Sequence, residues 1–188
     1  MNLPVVLVLA YVALGLELAL KPGLALGTSI APGVLLPMAV FIALYSQPRQ
    51  ALWVGLVLGV ALDLTSPIPM FGAARNMTLL GPNALGYLAA TYLTLTIRGL
   101  LVRRNPLTLL VVSVIAMALA QIVLVAILSV RSFYDSSLSF GPLRELTSRL
   151  LSSLYTAGTA GIMGLLLVPL APWLGFHDPA SRRMGRRP

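Results

Sequence analysis

The chain has 188 residues, 58% of them hydrophobic and 10% charged, with no cysteine and a net charge of +8. A water-facing surface needs about 25% charged residues, so this composition and a mean hydropathy of +0.93 exclude a large soluble domain. The missing cysteines exclude disulfides, thiolate metal sites and thiol catalysis within the chain. A spanning helix takes about 20 mostly apolar residues. The length therefore accommodates an all-α membrane protein of about six transmembrane helices in one domain over residues 1–174, with a basic cytoplasmic tail over 175–188.

Leu3 to Leu20 is expected as the first span. No Lys or Arg precedes it and its apolar run is long for a secretory signal. Lys21-Pro22-Gly23 is expected to end it, and Glu17 lies one turn from Lys21, in pairing range. The second helix is expected over Ile30 to Tyr45, with Pro32 and Pro37 in its first half. A tight loop, Ser46 to Arg49, leads into a third helix from Gln50 to at least Leu64, which Thr65-Ser66-Pro67-Ile68-Pro69 interrupts. The fourth is expected from Met77 to Ile97, with Pro82 and Gly86 inside it. A basic loop, Arg98 to Arg104, precedes the fifth, Leu107 to Val130. Arg131 to Arg149 reads as the longest loop, lying partly on the membrane surface through Phe133, Tyr134 and Phe140. The sixth helix is expected over Leu150 to about Trp173.

Lys and Arg in short loops set orientation. With both termini cytoplasmic, Arg49, Arg98, Arg103, Arg104, Arg182, Arg183, Arg186 and Arg187 lie inside. Lys21, Arg75, Arg131, Arg144 and Arg149 lie outside, so the balance is eight to five for this topology. The basic tail serves as a topology anchor that attracts anionic lipid rather than nucleic acid.

Groups able to do chemistry are sparse. Glu17, Asp63, Asp135, Glu145, Asp178 and His177 are the acids and the single histidine, and no Walker or zinc motif is present. No catalytic residue, metal or cofactor is expected. Asp63 is the most informative residue, because an ionisable group deep in a bilayer is costly and is either paired or functional. Gly55, Gly59 and Asp63 are four apart and share one helix face. The two glycines let another backbone approach closely, which places the acid at the end of a helix–helix seam. Asp63 then binds a partner or ligand, pairs with Arg75, or caps backbone freed near Pro67. Asn83 and Gln121 are either ligand-binding or interhelical hydrogen-bonding residues. Helix six is rich in small and hydroxyl residues, among them Ser152, Ser153, Thr156, Gly158, Gly161 and Gly164. Such a face packs on a neighbour within the bundle or docks a separate transmembrane helix.

Gln47-Pro48-Arg49, the glycine-rich run Gly55 to Leu64, Phe71-Gly72 and Ala84 to Leu88 follow one another in the middle of the chain, and on them the stretch from about Leu36 to Leu128 resembles the MreD family of bacterial rod-shape-determining membrane proteins. The likeness is carried by Gln47-Pro48-Arg49, then Gly55-Leu56-Val57-Leu58-Gly59-Val60-Ala61-Leu62-Asp63-Leu64, a proline-bearing break and Phe71-Gly72. Ala84-Leu85-Gly86-Tyr87-Leu88 and the basic loop before a long apolar helix follow. The resemblance implies a non-enzymatic scaffold subunit of the cell-elongation (peptidoglycan synthesis) complex in the inner membrane. It further implies binding to the single-span protein MreC and association with RodA, its penicillin-binding transpeptidase and MreB. It places the Asp of the family's glycine-rich helix on Asp63 and the Gly after the break on Gly72. It also implies a fold similar to the six-helix substrate-binding subunits of energy-coupling-factor vitamin transporters. Such a subunit is the alternative function. Its marks would be Gly15 and Ala19 at the spacing of an Ala-x-x-x-Ala dock, and a site drawn from Trp53, Asn83, Tyr87, Tyr92 and Gln121.

Overall fold

A computed structural model describes residues 3–24, 32–65, 79–101, 105–132, 134 and 142–171, with residues 3 and 142–145 described by backbone alone. The described chain is all-α: α1 (Leu3–Leu24), α2 (Leu35–Tyr45), α3 (Pro48–Thr65), α4 (Pro82–Ile97), α5 (Pro106–Ser132) and α6 (Pro142–Leu170). Three stretches, Pro4–Leu24, Pro106–Ser132 and Leu146–Leu170, are long and apolar enough to cross a membrane. The chain is a membrane protein on that ground.

Proline sets most of the boundaries. Four helices, α3 to α6, begin on a proline: Pro48, Pro82, Pro106 and Pro142. The first turn of a helix has N–H groups without intrahelical acceptors, so a residue lacking one fits there, and its fixed φ is already helical. This corrects the expected start of α4 at Met77: Pro82 is its first residue, not an interior one. It also corrects α6, which begins two turns before Leu150 and takes in the end of the expected long loop. α2 starts at Leu35 rather than Ile30, with Pro32 and Gly33 leading in and Pro37 in its first turn. Lys21-Pro22-Gly23 does not stop α1, which continues to Leu24. The Lys21 Nζ to Glu17 Oε1 ion pair, 3.5 Å long, bridges the turn that carries Pro22.

α2 is the axis of the bundle. Every residue from Leu35 to Leu44 is buried, and each of the other five helices packs against it. α3, α4, α5 and α6 pack in sequence order, each on the next, and form an arc around α2; α1 lies against α2 outside that arc. Buried side chains of α2, α4 and α5, such as Phe41, Tyr87 and Val112, make the core. The outer surfaces carry an apolar coat that includes Tyr11, Trp53, Val57, Tyr92, Leu154 and Leu165. Exposed residues of this kind are what a hydrocarbon solvent requires and water penalises.

Candidate functional site

Among the described residues, the two buried acids, Asp63 and Glu17, do the same thing in two places. Asp63, 2% exposed, sits near the end of α3 and faces the first turn of α4. Its Oδ2 accepts the N–H groups of Gly81 (2.8 Å) and Ala84 (3.1 Å). Its Oδ1 accepts the N–H of Asn83 (3.0 Å) and the Asn83 side-chain amide (2.9 Å). Pro82 has no N–H to offer, and Leu85 already donates to the Gly81 carbonyl at 2.9 Å. The free donors from Gly81 to Ala84 are thus all met by one carboxylate from the preceding helix. Gly81, at φ 128°, turns the chain into this arrangement, in a region where an L side chain is strained.

Glu17, 3% exposed, repeats the device on α2. Its Oε2 accepts the N–H groups of Val34 (3.0 Å) and Leu35 (2.8 Å), while Oε1 faces Lys21. The lead-in to α2 is also held from α6: Gly33 N–H donates to Thr156 Oγ1 (3.0 Å), and Thr159 Oγ1 donates to the Gly33 carbonyl (2.7 Å). At the other end of α2, Arg98 Nη1 donates to the carbonyls of Ala43 (3.1 Å) and Ser46 (2.8 Å). A carboxylate at the N-terminus and a guanidinium at the C-terminus match the two ends of the helix dipole. The acid and its target lie 17 to 18 residues apart for Glu17 and 18 to 21 for Asp63. The α1–α2 and α3–α4 pairs are therefore built alike, although their sequences show no repeat.

The glycine face of α3 meets α4. A Cβ on Gly59 would lie 2.5 Å from Ala84 Cα and 2.7 Å from the Asn83 carbonyl oxygen, and one on Gly55 would run into Thr91. The close approach at Gly59 is what brings Asp63 within reach of the α4 backbone. Asp63 caps α4; Pro67, Gly72 and Arg75, and with them the alternatives of a cap near Pro67 and a pair with Arg75, fall outside the described residues. On α6 the small residues divide between two faces. Ser152, Ser153, Thr156 and Ala160 are buried, and Gly161 and Gly164 approach α5 at Leu110 and Pro106. Gly158 faces open space.

The residues proposed for a vitamin site do not converge. Trp53 and Tyr92 are 61% and 65% exposed on the outer surface, while Tyr87 is in the core. The Asn83 amide is committed to Asp63, and Gln121 Oε1 accepts from Arg149 Nη1 at 3.1 Å, tying α5 to α6. Gly15 and Ala19 both lie on the exposed side of α1. Sequence reasoning found Asp63 but missed Glu17 and Arg98 as caps. Their targets are 17 to 18 and 52 to 55 residues away, and no local signal marks them. No known protein family, curated protein or solved structure gives a significant match to the chain.

Chemically, this arrangement holds backbone rather than reacting groups. A carboxylate has about four lone-pair sites, and at Asp63 four donors occupy them. A general base needs a free lone pair aimed at its substrate.

Proposed function

We propose that the chain is a non-enzymatic scaffold of the bacterial cell-elongation complex, a six-span subunit of the inner membrane that binds the transmembrane helix of MreC. RodA, the penicillin-binding transpeptidase and MreB are its further partners, and both termini are cytoplasmic. The reading rests on the sequence resemblance and on one observation: the acid of the glycine-rich helix is saturated by the backbone of the next helix. Such a residue organises a bundle and leaves the outer surface for partners.

The six-span topology is supported by where the short helices lie. α2 has 11 residues, about 16 Å at 1.5 Å per residue, which is half the hydrocarbon thickness. Non-helical backbone at membrane depth is tolerated only inside protein. The chain at 32–34 meets that condition, with Glu17, Thr156 and Thr159 holding it.

The test is co-expression with the MreC of the same genome and purification through a tag on this chain. Stoichiometric co-elution in detergent is the expected result. Gly158→Leu, on the open face of α6, locates the interface there if co-elution is lost while the bundle keeps its melting temperature. A copurifying small molecule with no MreC would sink the scaffold reading in favour of a transporter subunit.

A further inference from the structure

α1 and α6 each rest on α2, and the space between them is not filled. A slot of ≈ 80 Å³ runs there, with Val34, Met38 and Phe41 of α2 as its floor, α1 on one wall and Met163 and Leu167 of α6 on the other. Its α1 wall extends from Val6 to Leu16, ten residues or about 15 Å along the helix. Every lining residue is apolar. The rim residues Val12 and Leu16 are exposed and continue into the apolar coat of the bundle.

These dimensions decide among occupants. A transmembrane helix is about 10 Å across and does not enter a space of this size. A vitamin-sized ligand takes roughly 300 Å³ or more with placed polar groups, and this wall offers none. A water needs two or more polar partners, and again none is present. A polymethylene chain meets these conditions when a few of its methylenes seat in the slot and the rest lies along the exposed rim at Val12 and Leu16: it is narrow, apolar and present at high concentration there. We propose that the slot between α1 and α6 binds one acyl chain of a membrane lipid, which lies on Met38 and Phe41 and completes the packing of α1.

The inference depends on the membrane setting and not on any partner. The native chain is reconstituted in nanodiscs of phosphatidylcholine carrying a diazirine in one acyl chain, irradiated and mapped by mass spectrometry. Adducts are expected on Met38 and Phe41, which are buried, besides those on exposed Tyr11 and Val8. Ala13→Leu fills the slot from α1 and is expected to abolish the adducts on Met38 and Phe41 while leaving those on Tyr11. Should that variant fail to fold, Met163→Phe fills the slot from α6 and carries the same expectation. Adducts confined to Tyr11 and other exposed residues would overturn the proposal, and so would adducts on Met38 that survive both fillings.

Discussion

At the scale of single residues, Asp63 joins α3 to the start of α4 through four hydrogen bonds. Removing it takes the acceptor from three backbone N–H groups and the Asn83 amide at a partly buried seam. An orphaned buried donor costs about 1–3 kcal/mol. Asp63→Ala is therefore expected to lower stability by at least about 3 kcal/mol, against about 1 kcal/mol for Asn83→Ala, which removes one neutral donor. Chemical denaturation in detergent micelles gives both values, and equal losses would refute the capping account. Glu17→Gln keeps an acceptor but gives up the charge at the α2 terminus, so a loss of about 1–2 kcal/mol is expected. Its specific signature is faster amide exchange at Val34 and Leu35 than in the wild type, with Gly81 and Asn83 unchanged. The depth of Asp63 in an apolar run makes it visible in the sequence, because only a paired or functional acid survives there. Glu17 shows only its i,i+4 neighbour Lys21, and that pairing, though present, masks the longer-range bond.

At the scale of elements, the seam between α3 and α4 is the least forgiving. The atoms that a Gly59 side chain would meet are the backbone of Asn83 and Ala84, which has no rotamer to give. Gly59→Ala is expected to push the helices apart and cost about 1–3 kcal/mol. Gly158→Ala, with open space around it, is expected to be neutral or slightly stabilising, since alanine is the better helix former. Thermal unfolding of the two variants side by side checks this. The helix content of the chain was legible from its apolar runs, and the α3 face from the spacing of Gly55, Gly59 and Asp63. Boundaries were less so, because a proline in an apolar run is compatible with a kink, a stop or a start. Four helices here resolve that ambiguity the same way, by starting on the proline. The partners of the caps were not legible, since a helix terminus and the acid that meets it are joined only by the tertiary fold.

At the scale of the whole molecule, the polar bonds separate into two levels. Glu17, Thr156 and Thr159 bond at the start of α2, and Asp63 bonds at the start of α4. Arg98 serves the opposite end of α2. With the proposed orientation the first level faces outward and the second the cytoplasm, where the Arg-rich loops belong. The chain has no cysteine, so single cysteines report sidedness without background. Tyr134→Cys is expected to react with an impermeant maleimide from outside and Gln47→Cys only after the inner face is opened. The reverse pattern would invert the topology while leaving the bundle intact.

The caps also have a direction in time. In both hairpins the acid is synthesised before the helix it will close: Glu17 before Leu35, Asp63 before Gly81. α1 and α3 are thus made carrying the acceptor for the next helix, and α2 and α4 follow with bare N–H groups that already have a destination. A ribosome stalled with α1 and α2 emerged holds Val34 and Leu35 N–H already met by Glu17; one stalled after α3 holds an acid with no partner. The carboxyl end of α2 waits until Arg98 emerges behind α4, and Gly33 at its start waits until Thr156 and Thr159 emerge in α6. By this order the central helix has its full set of polar partners only once α6 is made.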